Sequence, residues 1–354
     1  MFENIINGNH FFLVAGPCSA ESQQQLGDTC QALMETERVD LLRCGVWKPR
    51  TRPGGFEGKG EDALGWIAEL KRQHPSWRFA IEVVTPQHVD LAMRYGVDAL
   101  WIGARTTGNP FLVSDLAQAL KHNPVPIMVK NPMNADAKLW MGALERLQYA
   151  GINDIAAIHR GFSTSSPIHP ELRNDPVWRV PLELRSMMPH VPLLCDPSHM
   201  AGCVEKITEC SQTALNLDFD GLMVECHIHP KQALTDALQQ MTPAELVRML
   251  GTLTFRPHSA TTPLQLSLLR EQLKLVDEDI MKLFAQRLDL SREIAVVKET
   301  YNIATYQPSQ WSLKLREMLL KAEKMGLNKK FVESVFEKIH LESIRVQEES
   351  RTNG

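Results

Sequence analysis

The sequence RCGVWKPRTRPGGFEGKG, residues 43–60, follows the apolar pair Leu41–Leu42 and carries a predicted strand into a long polar loop. Five cationic side chains share this segment: Arg43, Lys48, Arg50, Arg52 and Lys59. Two prolines and five glycines after Cys44 give the loop its turns. Cations grouped at the end of a strand form a site for anions, and phosphate suits them best. A solvated basic loop is the alternative, although long loops in compact domains are usually functional.

Short apolar runs alternate with helix-like segments along the first 250 residues. Eight candidate strands follow from these runs: residues 11–16, 40–45, 79–84, 99–104, 126–131, 155–161, 192–198 and 221–227. Helices are predicted between them, near residues 22–36, 61–74, 86–95, 111–121, 135–149, 176–187, 202–214 and 230–240. This alternation favours a (β/α)8 TIM barrel over residues 1–250, with an open doubly wound sheet as the alternative.

The sequence changes character after Leu250. Residues 251–263 are rich in threonine, proline and serine and are interpreted as a linker. Residues 264–354 predict an all-α domain of three helices, one reaching about residue 301 and two near 309–324 and 328–349. So long an apolar stripe cannot be buried within a three-helix module. We therefore expect a homodimer through this domain, with further pairing to a tetramer left open.

Charge and composition exclude several classes of protein. The net charge of −4 and the pI of about 6.3 argue against a nucleic-acid-binding surface. No run of 18 apolar residues is present, so no membrane span is expected. The first sixteen residues lack the pattern of a signal peptide, and the seven cysteines include no CxxC pair. We expect a cytoplasmic protein with reduced thiols.

Side chains of catalytic type fall near the C-terminal ends of the predicted strands, where a (β/α)8 barrel carries its active site. Besides the basic loop, these are Cys18, Arg105, Lys130, His159, Arg160, Asp196, His199, Glu225, His227 and Asp236. A carboxylate inside an apolar strand, such as Glu225, requires a cation or a metal to offset its charge. Cysteine, histidine and carboxylates together suit one divalent ion: Mn, Fe, Co or Zn. Plainer roles stay open for Cys18 in the core, for His199 as a helix cap and for His227 as an alternative ligand.

Several of these motifs together resemble the 3-deoxy-D-arabino-heptulosonate 7-phosphate (DAHP) synthase family, in its compact branch without an N-terminal regulatory extension. The resemblance spans roughly residues 10–245. It rests on Lys130, the pair His159–Arg160, and the motifs GPCS (16–19), KPRT (48–51), IGAR (102–105), DPSH (196–199) and GLMVE (221–225). The main alternative is the 3-deoxy-manno-octulosonate 8-phosphate synthase branch, which carries a KANRSS-like segment where this chain has KPRT.

The resemblance implies phosphoenolpyruvate and erythrose 4-phosphate as substrates. It implies one divalent metal ion, with Mn favoured, and its ligands are Cys18, His199, Glu225 and Asp236. It implies a phosphoenolpyruvate site whose members are Arg43, Lys48, Arg105, Lys130 and Arg160. Lys48 is also implied as a catalytic donor, and Arg50 and Thr51 as ligands of erythrose 4-phosphate. Relatives often carry an acidic residue at the position of His159, so the partner of Arg160 is left open.

Polar residues on the apolar stripes of the C-terminal helices indicate a second site. Arg287 and Lys298 are eleven residues apart, so they share a face and lie about 16 Å apart along the axis. Arg270 points about a quarter-turn away and suits the pocket of a dimer partner. Ser343 and Gln347 are four residues apart and share a face of the last helix. The alternative is that all five are surface residues of an amphipathic bundle.

Together these residues resemble the all-helical chorismate mutases, over about residues 264–349. The resemblance implies rearrangement of chorismate to prephenate, with catalytic roles for Arg287, Lys298, Gln347 and Arg270 of the partner subunit, and substrate binding by Ser343. One departure stands out. The family has an aspartate and then an Arg–Glu pair where this chain has Gln307, Gln310 and Trp311.

Two functions are therefore open for the C-terminal domain. In the first, the chain is a bifunctional enzyme, a DAHP synthase fused to a chorismate mutase. In the second, the helical domain senses chorismate or prephenate and dimerises the protein without turning either over. Both hypotheses allow feedback inhibition of the barrel by prephenate.

Overall fold

The computed structural model describes residues 1–2, 5, 11–48, 54–121, 123, 125–164, 169–255 and 264–352. The chain divides into two compact units, Met1–Ser259 and Ala260–Gly354. We refer to them as the barrel unit and the helical unit.

Eight parallel strands of the barrel unit close into a barrel in sequential order. The strands are β1 Phe12–Gly16, β2 Leu41–Cys44, β3 Phe79–Val83, β4 Ala99–Ile102, β5 Ile127–Lys130, β6 Ile155–His159, β7 Leu193–Cys195 and β8 Gly221–Glu225. The barrel closes where β8 pairs with β1, with Gly16 beside Glu225. The predicted (β/α)8 barrel is confirmed, and the open-sheet alternative is wrong.

Helices follow the strands and cover the outside of the barrel. They are α1 Gln23–Met34, α2 Glu61–Gln73, α3 Pro86–Arg94, α4 Ala104–Thr107, α5 Pro110–Leu120, α6 Ala137–Tyr149, α7 Arg179–Met187, α8 Pro197–Ala201, α9 Val204–Asn216 and α10 Pro243–Thr252. Several begin at a capping side chain. Thr85 accepts from the N–H of His88, and Pro86 occupies the first turn of α3, where its missing N–H is not needed.

One predicted helix is wrong. Residues 230–240 form two short 3₁₀ turns, Pro230–Gln232 and Ala237–Gln239, instead of an α-helix. Between them Asp236 adopts a left-handed backbone with φ of 46°, which a continuous α-helix cannot contain. The helix after β8 is α10, which starts at a capping box formed by Thr242 and Glu245. Because α10 runs to Thr252, the first residues of the predicted linker are helical.

Side chains of the strands alternate between two buried layers. One layer lies inside the barrel and includes Val14, Leu41, Trp101, Met128 and Met223. The other lies between the strands and the surrounding helices, and the strand residues there are mostly aliphatic. Burial on both faces explains why the strands appear in the sequence as continuous apolar runs.

The helical unit consists of α11 Leu264–Thr300, α12 Pro308–Lys324 and α13 Lys329–Thr352, as the sequence predicts. Helix α13 packs against both α11 and α12. Much of the apolar surface of α11 is nevertheless exposed, for example Leu273 at 60% and Leu283 at 62%. Among the described residues, no helix combines the length and the apolarity that crossing a membrane requires.

Candidate functional site

The inward-facing alternation of the strands continues beyond the apolar interior into charged residues. Arg43 follows Leu41 by two positions, Lys130 follows Met128, Asp196 follows Leu194, and Glu225 follows Met223. The first residue of each pair belongs to the apolar barrel interior. Because side chains two apart lie on the same face of a strand, all four charges meet at the C-terminal mouth of the barrel.

Arg43 and Glu225 form a buried ion pair. Nη2 of Arg43 lies 2.9 Å from Oε1 of Glu225, with side-chain exposures of 1% and 0%. The guanidinium also lies 5.2 Å from the ring centre of Trp101, a cation–π contact. Burial opposes ionisation of Glu225, but His199, Arg43 and Lys48 outweigh it and hold its pKa at about 2. The sequence-based expectation that a cation offsets this carboxylate is therefore confirmed.

Three of the predicted metal ligands come together. Donor atoms of Cys18, Glu225 and Asp236 all lie within 4.8 Å of one another, and this group could hold a metal ion. The thiol of Cys18 lies 3.3 Å from Oδ2 of Asp236. Burial, followed by the charge of Glu225, raises the pKa of Cys18 to about 12. A thiol and two carboxylates fit a borderline divalent ion, which takes the sulfur as thiolate.

His199 lies beside this group rather than within it. Its Nε2 is 3.7 Å from Oε1 of Glu225, while its Nδ1 is 2.8 Å from Oδ2 of Asp196. A carboxylate behind a histidine fixes the orientation of the ring, as is common at metal centres. The helix cap here is Asp196, which accepts from the backbone N–H of His199 at 3.0 Å. The plainer interpretation of His199 as the cap is therefore wrong.

Arg173 and Gln239 complete the surroundings of the metal group, and neither is predicted by a sequence motif. Arg173 donates to Oδ1 of Asp236 at 3.0 Å and to Oε1 of Gln239 at 2.6 Å. Gln239 in turn donates to Oε2 of Glu225 at 2.6 Å. One chain of hydrogen bonds thus holds both carboxylates. Arg173 lies on the loop after β6, far from any motif, so only its charge offered a signal.

Lys48 connects the basic loop to the metal group. Its Nζ donates to the sulfur of Cys18 at 2.9 Å. The backbone must approach closely here, since a Cβ on Gly45 would lie 1.9 Å from the carbonyl oxygen of Cys18. The predicted ligands Arg50 and Thr51 lie outside the described residues.

Further cations gather on the opposite side of the mouth. Lys130 donates to Oδ2 of Asp196 at 2.7 Å. Arg160 is 8% exposed and donates to Oδ1 of Asn174 at 2.6 Å, which supplies the partner that the sequence left open. Burial lowers the pKa of Arg160 to about 10, and the charges of Arg173 and Arg105 contribute to the decrease. Arg105, on α4, therefore lies near this group.

Two histidines of the sequence analysis face away from the metal group. His227 is 3% exposed; its Nδ1 accepts the N–H of His229 at 2.8 Å and its Nε2 lies 3.7 Å from Glu21. The interpretation of His227 as an alternative metal ligand is not supported by this geometry. His159 is fully buried, 5.3 Å from the ring centre of Trp178 and 5.4 Å from that of Phe162. Burial lowers its pKa to about 3.

The helical unit brings four of its five predicted site residues together. Arg287 on α11 donates to the hydroxyl of Ser343 and, at 3.3 Å, to the carbonyl of Ile339 on α13. Lys298 donates to Oε1 of Gln347 at 3.2 Å. Arg270 is exposed on α11, seventeen residues before Arg287, which is about 26 Å along the axis. It cannot reach this pocket within one copy of the chain.

Two family models match the chain. The model described as the DAHP synthetase I family matches residues 3–255, and the one described as chorismate mutase type II matches residues 269–348. These two segments correspond to the barrel and to the three helices.

Individual relatives agree with this division. The chain is 30% identical over 237 residues to the phospho-2-dehydro-3-deoxyheptonate aldolase of Thermotoga maritima, covering 67% of each. Over 79 residues it is 32% identical to the T-protein of Enterobacter agglomerans, covering 22% of this chain and 21% of that protein. Among solved structures, DAHP synthase from Thermotoga maritima superposes with a TM-score of 0.61 at 26% identity, covering 69% of this chain and 68% of the other.

Proposed function

Since the chain belongs to the DAHP synthetase I family and carries a chorismate mutase domain after the barrel, it is a bifunctional shikimate-pathway enzyme, and we propose which residues act at each site. The barrel condenses phosphoenolpyruvate with erythrose 4-phosphate to DAHP and phosphate. The helical unit rearranges chorismate to prephenate.

Phosphoenolpyruvate is bound by Arg43, Lys130, Arg160, Arg105 and Lys48. The observation that supports this most is the convergence of buried cations on one mouth, with Arg43 at 1%, Lys130 at 5% and Arg160 at 8% exposure. Buried cations need anions. Among the described residues, Arg43 and Lys130 form ion pairs with carboxylates, whereas the guanidinium of Arg160 donates to the neutral side chain of Asn174. A phosphate and a carboxylate of one small substrate would supply the missing charge.

Erythrose 4-phosphate is bound through its phosphate by Arg50 and Thr51, as the family resemblance implies. Its aldehyde carbon then lies over carbon 3 of phosphoenolpyruvate, which forms the new carbon–carbon bond. Water adds to carbon 2, and the phosphate leaves from the resulting hemiketal phosphate. Holding two anions in register lowers the entropic part of the barrier.

Cys18, His199, Glu225 and Asp236 would hold one divalent metal ion, with Mn favoured among Mn, Fe, Co and Zn. When bound, the ion supplies a Lewis acid for the aldehyde oxygen. Lys48 contributes a proton to the same oxygen, because its ammonium lies 2.9 Å from the sulfur of Cys18 and therefore at the edge of the metal group. Arg173 and Gln239 keep the two carboxylates in place.

In the helical unit, Arg287 and Ser343 bind a carboxylate of chorismate, and Arg270 of the partner subunit binds the other. Lys298 and Gln347 donate to the ether oxygen, where negative charge grows as the bond breaks. Nζ of Lys298 lies 3.2 Å from Oε1 of Gln347, so the ether oxygen of chorismate can contact both side chains. The rearrangement needs no covalent intermediate with the enzyme.

The helical unit forms a homodimer in this proposal. Large apolar side chains of α11 are exposed in the single chain, including Leu269 at 54%, Leu273 at 60% and Val276 at 54%. Apolar patches of this kind mark association surfaces. A second copy would cover them and would bring Arg270 to the pocket that one copy leaves incomplete.

We also assign the enzyme to the cytoplasm, since its seven cysteines are free thiols.

The alternative function of the helical unit, a sensor without turnover, is favoured by Gln310 and Trp311 alone. Assays of chorismate consumption by the full chain and by its Arg287→Ala variant distinguish a mutase from a sensor. We expect the wild type to consume chorismate, and the variant to lose this activity by at least about a hundredfold while it retains DAHP synthesis. A wild type that binds but does not consume chorismate would leave the sensor function. If prephenate regulates the barrel through this pocket, its inhibition of DAHP synthesis disappears in Arg287→Ala.

A further inference from the structure

The first turns of α12 are where the helical unit departs from the mutase pattern. Gln310 and Trp311 stand where the family has an Arg–Glu pair, and Gln310 is exposed. Chorismate carries two carboxylates, and the pocket would lose one cation if α12 supplied none. The described residues of α12 offer another cation one turn further on, Lys314.

Trp311 attaches this part of α12 to the pocket. Its ring stacks on His340 of α13, with 3.9 Å between the ring centres and 4° between the planes. His340 directly follows Ile339, whose carbonyl accepts from Arg287, and it precedes Ser343 by three residues. The stack therefore fixes the start of α12 beside the residues that contact Arg287. Nε2 of His340 is buried and has no hydrogen-bond partner in the described part of the chain.

Lys314 faces the same way as this stack. It follows Trp311 by three residues and Gln310 by four, and residues at these spacings are neighbours on one helix face. The side chain of Lys314 is exposed, but partial burial of its ammonium lowers its pKa, and the charge of Arg287 lowers it further. Burial also lowers the pKa of His340, as do the charges of Arg287, Lys314 and Lys298. These charge effects agree with the helix spacing, which places Lys314 on the face of α12 that carries the Trp311–His340 stack.

The resulting cluster of Arg287, Lys298, Lys314 and His340 is drawn from all three helices. Burial lowers the pKa of each of the four, and neighbouring cations lower the pKa of Lys298, Lys314 and His340 further. Arg287, Lys298 and Lys314 carry positive charges that repel one another, and an anion between them would stabilise all three. A dicarboxylate meets this requirement better than a neutral ligand.

We propose that Lys314 binds a carboxylate of chorismate together with Arg287, in place of the cation that the family carries at the position of Gln310, and that the Trp311–His340 stack positions it. This inference rests on the proposed mutase function. Lysine suits the displaced position because its flexible stem can reach along the helix surface while the ammonium stays at the pocket.

Steady-state assays of chorismate consumption test the proposal with three variants of the full chain. Lys314→Met should lower kcat/KM about tenfold, mainly through a higher KM, because it removes binding that ground state and transition state share. Lys314→Arg should stay within about threefold of wild type. Arg316→Met is the matched control: it removes one cation from the same helix, about 200° around the axis, and should change nothing. Circular dichroism checks that helix content is kept.

A restoration experiment adds a second readout. Gln310→Arg, introduced into Lys314→Met, returns a cation to the family position and should recover most of the lost kcat/KM. Unchanged kinetics in Lys314→Met, with Arg287→Ala inactive, would overturn the role of Lys314 and leave the mutase function intact. A wild type without turnover would instead contradict the mutase function. In that case, calorimetric titration with chorismate tests the role of Lys314 in binding. Binding about tenfold weaker in Lys314→Met than in the wild type supports this role. Equal binding by the two proteins, or no binding by either, overturns it.

Discussion

Arg43 and Glu225 pair at 2.9 Å although their strands, β2 and β8, are not neighbours in the barrel. Strand β1 lies between them, so the two side chains meet across the interior of the barrel mouth. Neither has appreciable contact with solvent. Removing one partner of such a pair leaves a buried charge without compensation, which costs more than the pair itself contributes.

Arg43→Met should therefore destabilise the barrel unit by about 3–5 kcal/mol and raise the KM for phosphoenolpyruvate. Adding Glu225→Gln removes the buried carboxylate that Arg43→Met leaves without a cation. The double variant should therefore recover part of the lost stability, but not activity. Urea unfolding followed by tryptophan fluorescence measures this, since six of the seven tryptophans belong to the barrel unit. Arg94→Met, an exposed arginine on α3, is the control and should stay within about 0.5 kcal/mol. A double variant as unstable as Arg43→Met would contradict the explanation.

Cys18→Ser should weaken metal binding by at least about tenfold, because a hydroxyl replaces the only sulfur in the donor group. Titration with Mn²⁺ measures the affinity. Titration with Co²⁺ reports on the ligand itself, since the thiolate-to-cobalt absorption of the wild type should be missing in the variant. Cys203→Ser, at the start of α9, is the control and should retain this absorption. A Co²⁺ spectrum unchanged in Cys18→Ser would exclude Cys18 as a ligand.

Arg173→Met should lower the affinity for Mn²⁺ about tenfold, since Asp236 and Gln239 both lose the hydrogen bonds that hold them. Loss of a positive charge near the ion would by itself strengthen binding. Affinity that stays equal or increases in the variant would therefore show that Arg173 does not position the ligands. Arg179→Met removes an arginine that is 72% exposed and should leave the affinity unchanged.

His159 should make the barrel unit sensitive to acid. Its pKa is about 3 in the folded protein, below the ordinary value of 6.5, because burial disfavours the charged ring. The unfolded state therefore binds one more proton once the pH falls below about 6.5, and stability is lost as the pH falls from there toward 3. For this group alone the loss between pH 7 and pH 5 is about 2 kcal/mol.

The variant His159→Phe isolates this contribution, because phenylalanine fits among Trp178, Phe162 and the other rings without titrating. The decrease in the urea midpoint from pH 7 to pH 5 should be smaller in the variant than in the wild type. Equal decreases in both proteins would show that other groups cause the acid sensitivity. His190→Phe, at an exposed position three residues after the end of α7, provides the comparison for removal of a histidine as such.

The grouping of side chains at the strand ends is predictable from the sequence, because one rule of geometry applies to every strand. In a parallel barrel every strand ends at the same mouth, so Arg43, Lys130, Asp196 and Glu225 could be grouped without knowing any distance. The same periodicity failed to orient His227, two residues beyond Glu225 but already past the end of β8. Once the chain leaves the strand, alternation no longer decides which way a side chain points.

Residues on turns and loops were harder to predict. The sequence places Asp236 on a helix, whereas the structure places it between two 3₁₀ turns, with a left-handed backbone at φ 46° and its carboxylate 3.3 Å from the thiol of Cys18. Arg173 and Gln239 carried no motif and no periodicity. Their roles depend on where the loop after β6 and the turns after β8 pass over the mouth, which local sequence does not specify.

The sequence by itself determined the eight strands, the three helices of the helical unit and their order, because apolar runs of strand length and the 3.6-residue repeat of the long helix are local properties of the chain. It also determined which chemical groups stand at the strand ends. Only the tertiary structure decided which of those groups are neighbours, since Cys18 meets Asp236 across 218 residues and Arg43 meets Glu225 across the barrel. In the helical unit, likewise, the stacking of Trp311 on His340 joins α12 to α13, and no short motif specifies that contact. Contacts between distant segments depend on how the whole chain closes, and that closure is set by packing and not by any short motif.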